Sequence, residues 1–158
     1  MPKPDAPPLD LETLPGHAIR RLQQIAVAIF LQETEPLGVT PVQFAALQGI
    51  ANAPAVDQRS LARAIGFDTS TIGGVIDRLE ARGLVQRNTA PDDRRVRRLT
   101  LTPAGHDLLR AVVPLMQRAQ ERILEPLTPR QRAEFLRLLL ILVTANNELS
   151  RAPSEALT

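Results

Sequence analysis

Three threonine-proline pairs constrain this chain more than any other feature, because each pair fixes where a helix begins. The pairs are Thr40-Pro41, Thr102-Pro103 and Thr128-Pro129. The threonine hydroxyl caps the first turn, and proline costs nothing at the first helical position, where its N–H would be unsatisfied anyway. Gln43 and Gln131 stand three residues after two of these threonines and complete capping boxes. A mainly helical chain is therefore predicted.

Apolar periodicity and further capping residues predict the other helices. A first long helix has apolar side chains at helical spacing from residue 17 to residue 32. Asp57 and Asp68 are predicted to cap two shorter helices, which stop at Gly66 and Gly83. The predicted helices cover residues 17–32, 41–51, 58–65, 69–82, 103–125 and 129–149, with a bend expected at Pro114.

Two short alternating segments between the fourth and fifth predicted helices favour a β-hairpin. Its strands cover residues 84–87 and 98–101, and Pro91-Asp92-Asp93 forms the turn between them. Residues 58–101 thus follow the order helix, glycine-containing turn, helix, β-hairpin, which is typical of a winged helix–turn–helix. The predicted fold is a single, mainly α domain with a small β-hairpin wing.

The domain is predicted to combine a winged region with helices that join two subunits. A flexible proline-rich arm is expected at 1–16, dimerisation helices at 17–34 and 103–149, the winged helix–turn–helix at 40–101, and a tail at 150–158. Residues 138–143 of the last helix are apolar without interruption, more than one small core can hide. A homodimer built from the two ends is the favoured interpretation, and a fully internal core helix is the alternative.

Composition excludes several functional classes. The chain has 158 residues, 44% of them hydrophobic, and no cysteine, which excludes disulfides, thiolate zinc sites and cysteine nucleophiles. Its longest apolar run, residues 25–31, is far shorter than the roughly 20 residues of a membrane-spanning helix, so no membrane partner is expected. The proline-rich, acidic start does not resemble a secretory signal, which favours the cytoplasm. Without any phosphate loop or nucleophile elbow, no catalytic residue, cofactor or metal site is predicted.

Positive charge is concentrated in one segment of a nearly neutral chain. Six of the 19 basic residues are arginines between positions 82 and 98, where the only acidic residues are Asp92 and Asp93. Such a patch is typical of a surface that docks a phosphate backbone, and double-stranded DNA is the predicted partner. A solvated basic loop is the alternative interpretation.

The fourth predicted helix has the features of a helix that enters the major groove. Thr69, Ser70 and Thr71 place small polar groups at its N-terminal end, where base edges and phosphates come closest. Gly73 and Gly74 each cost about 1 kcal/mol of helix propensity, which suggests close approach to DNA or to a neighbouring helix. The alternative is that these glycines only admit a bulky neighbour.

The hairpin loop is predicted to reach the adjacent minor groove. Arg94 or Arg95 is expected to enter the groove, while Asp93 pairs with the other arginine and stiffens the turn. Of Arg97 and Arg98, at most one faces DNA, because they alternate along the strand. The predicted DNA-contacting residues are Gln58, Arg59, Thr69, Ser70, Thr71, Gly73, Gly74, Arg78, Asp93, Arg94, Arg95 and Arg97.

Several local motifs together resemble the multiple-antibiotic-resistance regulator (MarR) family. They are Asp68-x-Ser70-Thr71-Ile72, Arg78-Leu79-Glu80-x-Arg82-Gly83-Leu84-Val85-x-Arg87, and Asp93-Arg94-Arg95 followed by Leu99-Thr100-Leu101-Thr102-Pro103-x-Gly105. The resemblance implies a homodimeric, ligand-responsive transcription factor, usually a repressor, whose N- and C-terminal helices form the dimer interface. Many members carry a basic residue near Gly74, so the resemblance favours the hydroxyls and the wing over direct base contacts here. It also favours Asp93 paired with Arg95 and a probing Arg94.

The family resemblance further implies a small-molecule effector, often an aromatic acid. The first helix offers donors suited to a carboxylate at His17, Arg20, Arg21 and Gln24. His17 and Arg21 lie one turn apart on the same side, and the scarcity of aromatic residues predicts an aliphatic pocket. The alternative is that these residues make intersubunit or surface polar contacts.

Two further functional classes compete with this interpretation. A metal-sensing regulator would use His17 or His106 with acidic neighbours, but 89 positions separate the two histidines. A winged helix that binds protein instead of DNA is the other class. Ionic strength distinguishes it, since DNA binding through several arginines weakens steeply with salt.

Overall fold

A computed structural model describes residues 7–155 of the chain, as six α-helices, three 3-10 turns and one three-stranded sheet. The helices are α1 (Pro15–Thr34), α2 (Pro41–Asn52), α3 (Gln58–Ile65), α4 (Thr69–Ala81), α5 (Pro103–Leu124) and α6 (Pro129–Ala145). The strands are β1 (Val56–Asp57), β2 (Val85–Thr89) and β3 (Arg97–Leu101). The 3-10 turns are Leu11–Thr13, Glu35–Leu37 and Asn147–Leu149.

The five helix starts predicted from capping residues are confirmed. The hydroxyls of Thr40, Thr102 and Thr128 accept the backbone N–H three residues later, and the glutamines complete capping boxes at the first and third of these positions. Asp57 and Asp68 cap α3 and α4 in the same way. Because each cap satisfies N–H groups that a helix start leaves without partners, these residues set the helix boundaries locally.

The sheet contains a strand that the periodicity did not predict. β1 pairs antiparallel with β3, with Val56 opposite Leu99, and β3 also pairs with β2, giving the order β1-β3-β2. Two residues are too few to show an alternating pattern, so this strand exists only because β3 supplies its hydrogen bonds. The predicted hairpin is therefore the larger part of a three-stranded sheet.

The ends of the chain also differ from the prediction. α1 begins at Pro15, and a 3-10 turn covers Leu11–Thr13 inside the segment predicted as a flexible arm, whose first six residues lie outside the described part. α6 ends at Ala145 and not at residue 149. Asn146 stops it with a side-chain amide that donates to the Leu142 carbonyl at 2.8 Å, and a 3-10 turn follows.

One apolar core joins α2, α3 and α4 to the sheet. Its fully buried side chains come from the inner faces of these elements: Ala46, Leu47, Ile50, Leu61, Ile72, Val75, Ile76, Leu79, Val85 and Leu99. Burying side chains of this size stabilises each by about 1.5–3 kcal/mol relative to exposure. The helices that present the polar end of α4 and the wing thus share one core, to which Leu109 of α5 also contributes.

The first turn of α5 is locked to the base of the wing. Thr102 donates its hydroxyl to the Gly83 carbonyl at 2.6 Å and its N–H to the Leu84 carbonyl at 3.1 Å. A Cβ on Gly105 would lie 2.1 Å from that Leu84 oxygen, which leaves room for glycine alone. α5 therefore leaves the wing in a fixed direction, and it continues through Pro114 without ending.

The outer helices are joined by ion pairs on one side and are open on the other. Glu33 of α1 binds Arg122 and Arg118 of α5 at 2.6 and 3.4 Å, and the hydrogen bond from Arg122 chiefly lowers the pKa of Glu33. Within residues 7–155, no side chain of α6 is buried. Its exposed apolar residues are Leu136, Leu138, Leu140, Ile141, Leu142 and Val143.

Candidate nucleic-acid interface

The N-terminal end of α4 presents hydroxyl groups to solvent. Asp68 accepts the Thr71 N–H and the Thr71 hydroxyl, each at 2.8 Å, while Thr69 and Ser70 are exposed. The Thr71 N–H in particular holds the pKa of Asp68 below its ordinary range. Of the three predicted hydroxyl groups, one thus belongs to the helix cap, and two stand at the exposed tip beside the positive end of the helix dipole.

The two glycines of α4 have different surroundings. A Cβ on Gly73 would lie 3.2 Å from Nε2 of Gln58, at the start of α3, so this glycine allows α3 to approach closely. A Cβ on Gly74 would meet only Nη1 of Arg78, at an ordinary contact distance of 3.9 Å. The end of the Gln58 side chain thus crowds position 73, whereas position 74 has space for a side chain.

An arginine of the wing binds both helices of the helix–turn–helix. Arg87 of β2 donates to Glu80 and Asp77 of α4, at 2.6 Å each, and to Oε1 of Gln58 of α3 at 3.3 Å. Burial opposes the charge of Arg87, but hydrogen bonds to Asp77 and Glu80 outweigh burial and raise its pKa. The wing and α4 are therefore held together by charge-assisted hydrogen bonds on a side chain that is only 21% exposed.

Arg87 belongs to the arginine-rich segment and to a family motif, but it was not among the predicted DNA-contacting residues. Asp77 and Glu80 are three residues apart on α4, a spacing that places both carboxylates on one side of a helix and signals a cationic partner there. Gln58, predicted to contact DNA, here accepts from Arg87. Arg59 and Arg78, also predicted, are exposed on α3 and α4.

The wing turn is stiffened by a contact different from the predicted ion pair. Asp93 accepts the backbone N–H of Arg95 at 2.9 Å, so the carboxylate fixes the turn through the main chain and not through a guanidinium. Arg94 and Arg95 are both exposed at the tip. Arg97 donates to the Thr89 hydroxyl at 3.0 Å, and Arg98 donates to the Ala55 carbonyl at 3.2 Å.

The predicted effector residues fall into two separate pairs. Nη1 of Arg21 contacts both carboxylate oxygens of Glu12, at 2.9 and 3.1 Å, and Nε2 of His17 lies 3.8 Å from one of them. Arg20 donates to Gln24 one turn along the helix, at 3.2 Å. His17 and Arg21 are therefore brought together around a carboxylate, and Arg20 and Gln24 are not part of that cluster.

Two surface depressions lie on the outer helices. One, of about 380 Å³, is lined by charged residues of α1, α5 and the segment that begins α6: Glu33, Arg118, Glu121, Arg122, Glu125 and Arg132. The other, of about 470 Å³, is a mostly apolar groove on α6. Neither is lined by the predicted effector residues.

Residues 7–155 contain no group of three histidine, aspartate or glutamate side chains arranged as around a metal ion. Among the helices in the same part of the chain, none combines the length and apolar character that crossing a bilayer requires.

Helices α2, α3 and α4 are followed by a β-hairpin, and the exposed polar tip of α4 lies beside a wing that carries arginines. This arrangement defines a winged helix–turn–helix protein. The MarR family profile matches residues 39–96. The HTH-type transcriptional repressor NicR of Pseudomonas putida is 34% identical over 135 residues, which are 85% of each chain. The chain belongs to the MarR family.

Solved structures show the same fold. Bordetella bronchiseptica BpsR, described for the regulation of its DNA binding by 6-hydroxynicotinic acid, superposes with a TM-score of 0.81 at 32% identity, over 86% of this chain and 97% of that one. The transcriptional repressor CouR, bound to a 23-mer DNA duplex, gives a TM-score of 0.80 at 30% identity, over 87% and 99% of the chains. The predicted mainly α, winged fold is thereby confirmed.

Proposed function

We propose that this chain is a cytoplasmic transcriptional repressor that binds operator DNA as a homodimer and is released by a small aromatic acid. The arrangement that carries the proposal is Arg87, which fixes the arginine-bearing wing to the helix whose tip exposes Thr69 and Ser70. NicR is named as a repressor, and CouR was solved on a DNA duplex, which supports the same role here. The groups arranged in this way bind phosphates and base edges, and no catalytic role is proposed for them.

The homodimer follows from the apolar face of α6. The side chains from Leu138 to Val143 that are most open to solvent are 47–57% exposed, and Ile19 and Ile25 of α1 are about half exposed as well. Each Å² of apolar surface removed from water contributes about 25 cal/mol, so covering these two faces with a second copy favours association. We place the interface on α1 and α6, the two ends predicted to dimerise.

A two-fold dimer sets the form of the operator. Two equivalent winged modules meet successive major grooves when they are about one helical turn of DNA apart, which predicts an inverted repeat. Thr69 and Ser70 are assigned to the major groove, and Arg94 and Arg95 to the minor groove beside it. Binding depends on the distance between the two modules, and that distance is what an effector would change.

His17 and Arg21 form the proposed effector site. Both lie against the carboxylate of Glu12, which supports a carboxylate as the group that this pair accepts. An aromatic acid would bind by taking the place of Glu12, and BpsR, regulated by 6-hydroxynicotinic acid, supports that chemical class. A tenfold loss of operator affinity needs only about 1.4 kcal/mol of coupling between the two sites.

Selection of DNA from a random library tests the proposal. The purified chain is incubated with random duplexes of about 30 base pairs, the length that covers two half-sites with flanks, and the enriched sequences are measured by fluorescence anisotropy. We expect an inverted repeat whose affinity falls steeply with salt, and a salt slope reduced by about one for Arg94→Ala or Arg95→Ala. Arg110→Ala is the matched control, because Arg110 is exposed on α5 and pairs with Asp107.

Absence of any enriched sequence at low ionic strength would overturn the proposal and favour a protein-binding winged helix.

For the effector, thermal-shift screening of aromatic acids compares the unmodified chain with Arg21→Ala, and Arg20→Ala serves as the control outside the cluster. Equal stabilisation of the Arg21→Ala variant would remove the role assigned to this pair.

A further inference from the structure

The segment after α6 turns back and crosses the end of α3. Within this segment, residues 150–155, the Glu155 N–H donates to the Arg63 carbonyl at 2.9 Å, and the Ser154 hydroxyl donates to the Ala64 carbonyl at 3.2 Å. Both carbonyls belong to the last turn of α3, where helical donors run out. The segment thus hydrogen-bonds to main-chain groups at the turn that leads into α4.

The same segment is fixed to the end of α6. Asn147, in the 3-10 turn after α6, accepts the Ser154 N–H at 2.9 Å and donates its amide to the Ser154 carbonyl at 3.2 Å. Two hydrogen bonds between one side chain and one residue's main chain define the position of that residue closely. Ser154 therefore joins the end of α6 to the end of α3.

A van der Waals contact and two ion pairs accompany these hydrogen bonds. A Cβ on Gly66, which has a φ of 70°, would lie 3.5 Å from the Ser154 Cβ. Arg151 lies 3.7 Å from the carboxylate of Asp68, the cap of α4, and Glu155 lies 3.7 Å from Arg63. Exposed pairs of this kind contribute little, so the main-chain hydrogen bonds dominate the attachment.

We propose that residues 150–155 are a strap that positions the recognition helix α4 relative to α6, with Ser154 and Glu155 as its positioning residues. The proposal rests on the proposed function, since it takes α4 as the helix that reads DNA. A shift of α6 against its partner subunit is transmitted through Asn147 and Ser154 to the turn between α3 and α4. The strap thus connects the proposed dimer interface on α6 to the turn before α4, in addition to the connection that α5 makes between the outer helices and the wing.

The release variant is Ser154→Ala with Glu155→Pro, which removes both donors to the α3 carbonyls. Its matched control is Glu155→Gln, which loses the ion pair with Arg63 but keeps the N–H and the serine. We expect amide hydrogen exchange in residues 63–68 to rise about tenfold in the release variant and not in the control. Affinity for the duplex selected by the unmodified chain should fall about five- to tenfold, while dimer mass and thermal midpoint stay unchanged.

Each outcome decides the proposal. Unchanged exchange in the release variant overturns the attachment, and faster exchange with unchanged affinity overturns the positioning role. If the unmodified chain selects no duplex, the proposed function fails, and the positioning role fails with it. If the unmodified chain selects a duplex and the release variant binds it equally well, only the positioning role fails. Should the release variant not fold, Asn147→Ala, which removes the clamp on Ser154 and an exposed contact with Glu148, gives the same two measurements.

Discussion

The winged module and the outer helices differ in how much apolar surface they leave exposed within one protomer. In α2, α3, α4 and the sheet, side chains such as Ile76 and Leu99 are completely buried within one protomer. In α6, large apolar side chains such as Leu140 remain about half exposed. The module therefore buries most of its apolar surface within one protomer, whereas the outer helices carry the apolar face that we propose a second copy covers.

A cavity in the buried core of the winged module should destabilise the chain most. Ile76→Ala should lower the free energy of unfolding by about 3 kcal/mol, because a fully buried side chain leaves a cavity that the neighbours fill only in part. Leu140→Ala, at a site 54% exposed, should have a much smaller effect on the protomer. Urea unfolding at several protein concentrations measures both, and a loss below about 1 kcal/mol for Ile76→Ala would contradict a closed core.

The open face of α6 is tested by placing a charge on it. Leu140 lines the apolar groove on this helix, and Leu140→Arg would bury an unpaired charge in the proposed interface. We expect the dissociation constant of the dimer to rise about a hundredfold or more, with the unfolding of the winged module nearly unchanged. Sedimentation equilibrium measures this, with Gln120→Arg on α5 as the control, and an unaffected dimer would place the interface elsewhere.

Arg87 holds the winged module together through charge and not through apolar packing. Arg87→Ala leaves Asp77 and Glu80 without their shared donor and should lower the free energy of unfolding by about 2 kcal/mol. Operator affinity should fall about tenfold, since the wing is released from α4. Arg110→Ala is again the control, and equal losses in the two variants would show that Arg87 has no special role.

The features that could be predicted from the sequence are those that depend on neighbours in the chain. Thr40, Thr102 and Thr128 cap helices through residues three positions away, so their helix starts could be read locally. β1 could not, because Val56 acquires its strand character from Leu99, 43 positions further on. The strap could not be predicted either, because Ser154 binds Ala64, which lies 90 positions earlier in the chain.

The candidate site follows the same rule. The exposed tip of α4 was predicted from small polar residues after a cap, which is a local pattern. The partners of Arg87 lie on two other elements, and the partner of His17 and Arg21 is Glu12, in a segment predicted as a flexible arm. Side-chain pairing across elements depends on how those elements pack, and spacing along one helix does not contain that information.

A weaker effect is expected at the cap of α4, inside the winged module. The Thr71 N–H lowers the pKa of Asp68, so the unfolded chain binds a proton more readily than the folded chain does. The stabilisation is therefore complete above the ordinary pKa of an aspartate, and it is lost as the pH falls through the lower pKa of the folded state.

Asp68→Asn keeps an oxygen that accepts the Thr71 N–H but removes the titration. We expect the thermal midpoint of the variant to fall less between pH 5 and pH 3 than that of the unmodified chain, by about one or two degrees. Asp92→Asn is the control, because Asp92 caps no helix and its contact with Arg98 is 3.9 Å long. Identical acid profiles for Asp68→Asn and the unmodified chain would show that this carboxylate adds nothing as a charge, and that it acts at α4 only as a hydrogen-bonding cap.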